Sequence, residues 1–428
     1  SEQRLREGQI ILDGEGQESE GYLRLHAKGD IEAKAGSIEN RNAGSKTILS
    51  AANIRFGTQR TDESFTYNGG GESRVGAPAR DSLHTRNARD HGSTIKGKGD
   101  IILDAREGKI TGRGADIDSS DGHVALFARD GIDLKNSWRD SESSYSEYKK
   151  GSRFLGSKVS EHYINEKIHG AEAGSITGKT VALIAGRDMS GENTNGNAKI
   201  TLGGMHVVSD KGTLLKATGD ITLNPAAESY HQTSNNYQRK TGVFYSLKTP
   251  LTLGIEHRQW DNTQTTHGTG YAPSVVGALD GNVIIDSGGH YQKNGSIVHA
   301  SRLENLGPVA SKAELAAMTP EARQAYWEKR MQAGNVIIRA KSGAESAMIG
   351  QHYQDGEQKF KSRGLKIGLQ GGMAGYINNG TGYLDQLIGS KNGRTKAMAG
   401  ILLGREIWDG AEHLQGAIKP SGEGDASQ

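Results

Sequence analysis

The chain of 428 residues contains no cysteine. This excludes a disulfide framework and any thiolate metal site. It suits the cytosol, and equally a protein exported unfolded, where an early disulfide would jam transport. Proline is scarce, 7 residues against 61 glycines, which argues against collagen-like and proline-rich disordered chains. No stretch approaches the ~18 apolar residues of a membrane-spanning helix. Charge of one sign is also missing: 52 basic and 50 acidic residues leave +2, so no strong field points to nucleic acid or an anionic membrane. The short basic pairs Lys149-Lys150 and Arg239-Lys240 read as parts of a mixed solvated surface. The N-terminus, SEQRLREGQI, lacks the apolar run of a signal peptide, and the chain is expected to be a piece of something longer.

Large apolar side chains are few as well. The 34% hydrophobic content is too low for a broad globular core but suits a narrow one lined by rows of Val, Ile and Leu. The stretch from Gly174 to Asn224 shows how. Val181, Leu183 and Ala185, then Ile200 and Leu202, then Ile221 and Leu223 alternate with polar neighbours, with Gly, Asn, Asp and Ser between the runs. Val181 to Ile200 is 19 residues and Ile200 to Ile221 is 21. A period of about 20 residues built from short strands and tight turns is the signature of a stacked solenoid.

The same pattern divides the chain. Coils are expected over residues 1–55, 93–135, 171–227 and 279–310, with polar excursions over 56–92, 136–170 and 228–278. The third excursion contains Val243, Phe244, Tyr245 and Leu247, then Leu251, Leu253 and Ile255, joined by Lys-Thr-Pro, and predicts a long β-hairpin. Residues 311–333 predict a helical insertion: Ser311 to Glu314 has the capping-box form, and Thr319-Pro320-Glu321 sets a cap before a proline at the first helical position. Residues 334–383 read as a last coil and a hairpin with Leu365, Ile367 and Leu369 alternating. Residues 384–428 predict one or two amphipathic helices and a tail.

Five G-[DN]-[IV] units recur as coil corners: Gly29-Asp30, Gly99-Asp100, Gly219-Asp220, Gly281-Asn282 and Gly334-Asn335, each followed by Ile or Val. The glycine is expected to supply a positive φ, and the Asp or Asn to bond its own backbone in the turn. The units do not match the nonapeptide calcium repeat. Acid-rich patches occur at Asp116, Asp118 and Asp121 and at Asp130 and Asp133. They would suit a β-helical polysaccharide-active enzyme, but their Ser/Gly context favours turns and solvated faces. The 14 histidines show no metal-binding spacing, and no nucleophile elbow or phosphate loop is present. No catalytic, cofactor or metal residue is therefore expected. Excursions of roughly 30 to 50 residues are usually functional or disordered. The third and fourth alternate apolar and polar residues as membrane-barrel strands do. They are expected either to engage a lipid or protein surface or to lie on the solenoid's flank and cover its apolar edges.

Coils such as Gly219-Asp220-Ile221-Thr222-Leu223 and Val181 to Asp188, with the Ser/Tyr/Gln/Lys-rich excursion from Tyr230 to Gly254 and the return at Gly281-Asn282-Val283, resemble the haemagglutinin repeats of two-partner-secreted exoproteins. These are filamentous haemagglutinin and the effectors of contact-dependent growth inhibition. The resemblance covers nearly the whole chain and is closest to the second repeat region. It implies an all-β, right-handed parallel β-helix with projecting hairpins, on the surface of a Gram-negative cell. It also implies export through an outer-membrane transporter partner, contact with a target-cell outer membrane or receptor, and the remainder of the exoprotein at both ends, with no nucleic acid. Such a segment would be a non-enzymatic stalk that helps deliver a C-terminal toxin. A plain host- or glycan-binding adhesin segment is the alternative.

Overall fold

The computed structural model describes residues 8–13, 21–72, 78–153, 156–245, 253–301, 334–348, 351–362, 392–399 and 401–402, with a few positions between 310 and 326. The first turn comprises β1 (Gln9–Leu12), β2 (Tyr22–His26) and β3 (Ile31–Lys34), and the second β4 (Ser37–Asn40), β5 (Lys46–Ala51) and β6 (Ile54–Gly57). A hairpin, β7 (Gln59–Glu72) and β8 (Pro78–His91), precedes the third turn, β9 (Thr94–Gly97), β10 (Ile101–Ala105) and β11 (Lys109–Arg113). The fourth turn is β12 (Asp116–Ser119), β13 (Val124–Ala128) and β14 (Gly131–Lys135), followed by the hairpin β15 (Ser137–Arg153) and β16 (Gly156–Glu172). In the fifth and sixth turns two faces share one bent strand. These are β17 (Gly174–Ala185) with β18 (Lys199–Gly203), and β19 (Met205–Ala217) with β20 (Ile221–Asn224). The longest hairpin, β21 (Ala226–Tyr245) and β22 (Leu253–Ala272), comes next. The last turns are β23 (Val275–Ala278), β24 (Asn282–Ser287) and β25 (His290–Asn294), then β26 (Ile297–Ala300), β27 (Val336–Arg339) and β28 (Ser342–Ser346). Strand β29 (Gln351–Ser362) follows.

The result is an all-β parallel β-helix. The third strand of every turn joins one 8-stranded parallel sheet, and the other two faces merge into a 14-stranded sheet through β17 and β19. Like residues stack along each face. Ile31, Ile54, Ile110, Ile132, Ile200 and Ile221 pair in succession before Tyr291 ends the row. A second row runs Ile10, Ile38, Ile95, Ile117, Ile176, Val207, Val276 and Val298. Apart from Ile10, which is exposed in the first turn, these side chains form one continuous core along the axis. The 21-residue step from Ile200 to Ile221 is therefore one full turn. The 19-residue step from Val181 to Ile200 is not, because Val181 pairs with Thr213 on a different face. A 13-residue connection between β17 and β18 makes the two numbers look alike.

Hairpins leave the helix after β6, β14 and β20, always between the third strand of one turn and the first of the next. They appear at every second turn. At the same corner of the intervening turns the chain turns tightly through a left-handed residue: Ala35 (φ 48°), Gly114 (60°), Gly204 (59°) and Gly295 (45°). The glycines of the G-[DN]-[IV] units are not left-handed, so the expected reason for them is corrected. Four of them lie where neighbouring backbone comes too close for a side chain. A Cβ on Gly99 would sit 2.2 Å from Ser45 O, one on Gly281 1.8 Å from Lys211 O, and one on Gly334 2.6 Å from the Ala300 carbonyl carbon. On Gly219 it would lie 3.0 Å from Ala198 O, whereas Gly29 in the first turn has nothing within 4 Å. Their acidic and amide partners also bond across coils rather than within their own turn. Asp100 Oδ1 accepts from His123 N (3.0 Å), Asp220 Oδ1 from His290 N (2.8 Å) and Asn282 Oδ1 from Asn335 N (3.2 Å).

In the insertion between β26 and β27, Ala322 N donates to Thr319 Oγ1 (3.2 Å) and Arg323 N to Thr319 O (2.9 Å), so Thr319 caps a helical turn. Residues 393–399 are helical and pack outside the coils. Met398, Ala399, Ile401 and Leu402 cover Val208, Val275 and Leu279, which face outward from the parallel sheet. Asn392 Oδ1 accepts from the backbone of Arg394 and Thr395 and so caps the helix. Arg394 holds it down. Its Nε and Nη2 donate to the Asp210 carboxylate (2.9 and 3.0 Å), and Nη1 and Nη2 to the Ser119 and Ser120 carbonyls (both 2.7 Å).

Candidate functional site

The three hairpins, with β29 added at one edge, form one 7-stranded antiparallel sheet, ordered β29-β22-β21-β16-β15-β8-β7. The physical reason is a match of repeats. Stacked turns rise by about 4.8 Å each, and a hairpin is two strands wide at about 4.8 Å per strand, so one hairpin per two turns fills its space without a gap. Neighbouring hairpins pair along most of their length: β8 with β15 over Arg89–Ala79, and β16 with β21 over His169–Gly156. Their strands pack on one another rather than on the coils. The excursions therefore stand off the helix instead of lying on its flank, which corrects the covering role expected as one alternative. Strand lengths grow from 14 to 17 to 20 residues, so each hairpin overtops the last by three residues. Residues 275–278, placed by sequence in the third excursion, form the coil strand β23 and pair with β19.

At its base the sheet is apolar and tightly paired in charge. Ala171, Ala226 and Ala272 are buried beside Trp138, whose ring stacks on His169 with centroids 4.3 Å apart. A groove of about 580 Å³ crosses the strands just above, lined by Arg60, Arg86, Asp140, Lys167, His231 and His267 among others. Each of its cations outside the histidines has an acid. Arg60 binds Asp90 (3.0 Å) and Asp140, Arg86 forks onto Asp62, and Lys167 meets Glu142 (2.9 Å). Burial opposes the charge on Asp140, but hydrogen bonds from His169 and Arg60 hold its carboxyl below the usual range.

Toward the far end the balance changes. The register brings Lys158 opposite Lys240, and Arg239 one residue away opposite Val159, which in turn faces Lys150. The two short basic pairs of the sequence are thus brought to one level of the sheet, with Lys158 and Lys240 on one face and Lys150 and Arg239 on the other. The signal was present as Lys149-Lys150, Lys158 and Arg239-Lys240, but only the strand register says that they meet.

Val243, Phe244 and Tyr245 lie on β21 and pair in register with Ile255, Gly254 and Leu253 on β22. Leu247 and Leu251, like Leu365, Ile367 and Leu369, lie outside the described residues. The acids considered for catalysis are bound into the helix. Asp116 Oδ1 accepts from Ser175 N (3.0 Å) and Oγ (2.8 Å). Asp118 Oδ1 accepts from Asn392 Nδ2 (3.0 Å) and lies 3.4 Å from Arg394. Asp121 bonds Ser120, Asp130 accepts from Asn195 Nδ2 (2.9 Å), and Asp133 pairs with Lys135 (3.2 Å). Among the described residues no group of three or more His, Asp or Glu is placed to hold a metal ion, and no helix is long and apolar enough to cross a membrane.

The hemagglutinin repeat family profile matches residues 78–162 and 155–304, together more than half of the chain. The chain belongs to the hemagglutinin-repeat family. Its matched region spans two of the three hairpins and the coils between them. "tRNA nuclease CdiA-2" of Burkholderia pseudomallei (strain 1026b) is 21% identical over 405 residues, covering 90% of this chain and 11% of that protein. "Deoxyribonuclease CdiA" of Yersinia pseudotuberculosis serotype O:3 (strain YPIII) is 26% identical over 216 residues, covering 50% of this chain and 19% of that protein. "Toxin CdiA" of Yersinia pestis is 26% identical over 216 residues and 6% of its length is covered. The chain thus spans less than a fifth of the length of these relatives. No solved structure matches it significantly. The chain is a hemagglutinin-repeat segment of the two-partner-secreted, filamentous haemagglutinin and CdiA-like kind.

Proposed function

We propose that this hemagglutinin-repeat segment is a non-enzymatic stalk of a large exoprotein on a Gram-negative surface. Its hairpin sheet meets the target-cell outer membrane and helps deliver a C-terminal toxin. Export runs through an outer-membrane transporter partner, and the rest of the exoprotein continues the stalk at both ends. The observation that carries the reading is the hairpin sheet itself. A stalk needs only the coils, yet the chain spends three hairpins of increasing length on a sheet that stands off them and ends in Val243, Phe244, Tyr245, Leu253 and Ile255. The structural bonds made by Asp116, Asp118, Asp121, Asp130 and Asp133 support the non-enzymatic part. The nuclease and toxin names of the relatives have room elsewhere in those chains, since the segment covers 11% and 19% of two of them.

Flotation with outer-membrane vesicles tests this, using the intact segment and a variant in which residues 228–270 are replaced by a short turn. That deletion keeps β23 in the coils. The intact protein is expected to float and the variant to stay at the bottom. Failure of both to float would overturn envelope contact by this sheet and leave the adhesin alternative, with a protein or glycan receptor.

A further inference from the structure

The end of the hairpin sheet is layered. Nearest the coils stand aromatic residues: Tyr148 and Tyr237 both pair with Glu161, and Trp260 beside them is 44% exposed. Next come the cations. Lys158 faces Lys240 directly, and Lys240 faces Arg258 on β22. One residue closer to the coils, and so on the opposite face of the sheet, Lys150 and Arg239 flank Val159, and Lys361 stands opposite Gln259. Beyond them, among the described residues, β21 and β22 continue, with Val243, Phe244 and Tyr245 paired to Ile255, Gly254 and Leu253. The cation layer lies about 45 Å along β21 from its base, at ~3.3 Å per residue.

Like charges directly opposite across a sheet destabilise it. Lys150, Lys158, Arg239 and Lys240 are exposed, and among the described residues none has a carboxylate partner. At the base of the same sheet the arrangement is the reverse, with Arg60, Arg86 and Lys167 each matched to an acid. A sheet that pairs its charges at the base shows no such pairs, among the described residues, for these four cations at the other end. An anion from outside would offset that repulsion.

We infer that this end of the sheet binds the phosphates of an anionic lipid headgroup layer, through Lys150, Lys158, Arg239 and Lys240, with the apolar strand ends beyond them entering the layer. The order of the layers selects lipid over nucleic acid. Phosphates of a nucleic acid would need cations but nothing apolar past them. A lipid surface presents phosphate first and hydrocarbon behind it, and suits aromatic residues at the headgroup level. The inference rests on the envelope contact proposed above and names the chemistry that makes it.

The test is co-sedimentation of the full segment with vesicles of phosphatidylcholine alone and of phosphatidylcholine with phosphatidylglycerol, at low and high ionic strength. One variant combines Lys158→Gln, Arg239→Gln and Lys240→Gln, and a second carries Phe244→Ser with Tyr245→Ser. The wild type is expected to bind the anionic vesicles, weakly the neutral ones, and to be released by salt. Each cation lost should weaken binding about fivefold, so the triple variant falls roughly a hundredfold. It should also melt no lower than the wild type, since its substitutions remove repulsion, which rules out misfolding as the cause. Equal binding by wild type and triple variant overturns the inference but leaves envelope contact standing if the Phe244/Tyr245 variant is the one that fails. Binding to neutral and anionic vesicles alike overturns it too. If no vesicle binds while flotation with outer-membrane vesicles succeeds, the lipid phosphate is not the ligand and a membrane protein is.

Discussion

Single residues in this helix are chosen mostly by the distance to the next coil. Gly281 and Gly99 are glycines because a Cβ would meet backbone 1.8 and 2.2 Å away, in a stack whose neighbours cannot move without breaking their own ladder. Conformational freedom matters at another corner, where Gly114, Gly204 and Gly295 adopt left-handed backbone and Ala35 does the same without being glycine. A left-handed alanine is strained by about 1–2 kcal/mol, partly offset by the greater unfolded-state entropy of glycine. Ala35→Gly should therefore raise stability by about 0.5–1 kcal/mol. Gly281→Ala should lower it by several times that, and Gly29→Ala should be close to neutral because its Cβ meets nothing within 4 Å. Denaturant titration of the three variants checks the order, and an Ala35→Gly protein weaker than wild type would sink the strain argument. The recurrence of G-[DN]-[IV] is plain in sequence, but its cause is not. A close approach is a fact about a residue some 20 to 70 positions away, such as Lys211 for Gly281, and no local pattern carries it. The left-handed corner had weak local signals in Asn294-Gly295 and Gly203-Gly204, spaced too far apart to stand out as a repeat.

At the scale of elements, the helix near the C-terminus closes over an outward-facing apolar patch, and a buried histidine lies on that same face. His206 alternates with Val207 along β19, so it shares the outer face with Val208, and it pairs in register with Val275. It is 5% exposed, and burial holds its pKa down at about 4 against an ordinary 6.5. The folded pKa lies below the unfolded one, so the neutral form is the one that folding favours. The associated stability is intact above pH 6.5 and is lost as the pH falls toward 4, where the loss reaches about 3 kcal/mol. Hydrogen exchange of residues 393–399 should accelerate over that window in the wild type and much less in His206→Val. The same acid sensitivity in both proteins would remove His206 as its source. Much of this element was legible in sequence as an amphipathic run containing Met398, Ile401 and Leu402. Its docking was not, because the receptor is assembled from β19, β23 and the Ser119–Ser120 turn, and Arg394 gives no sign in sequence that Asp210 awaits it. The hairpins show the same division. Alternation around Val243 and Leu253 revealed a strand pair, whereas the joining of three pairs into one sheet, and hence the meeting of Lys158 with Lys240, depends on register between segments some 80 residues apart.

For the molecule as a whole, the coupling of two repeats is what turns a stalk with loops into a stalk with a blade. Two turns of helix and one hairpin both advance about 10 Å along the axis, at about 4.8 Å per strand. A hairpin at every turn would be crowded, and one at every third would leave an unpaired edge on each side. An isolated two-stranded hairpin is marginal in water, so the blade depends on its neighbours while the coils depend only on the core along the axis. Replacing residues 138–171 by a short turn separates these. It opens a gap of about 10 Å between β8 and β21 and leaves both as edges, and exposed edges template association between chains. Amides in the coil strands β18 and β20 should keep their slow exchange, because their partners above and below are untouched. Amides in β7 and β8 should lose protection, and the protein should self-associate in sedimentation at concentrations where the intact segment does not. If β7 and β8 stay protected and the protein stays dispersed, each hairpin is stable alone, and the match between helix rise and hairpin width has no energetic role.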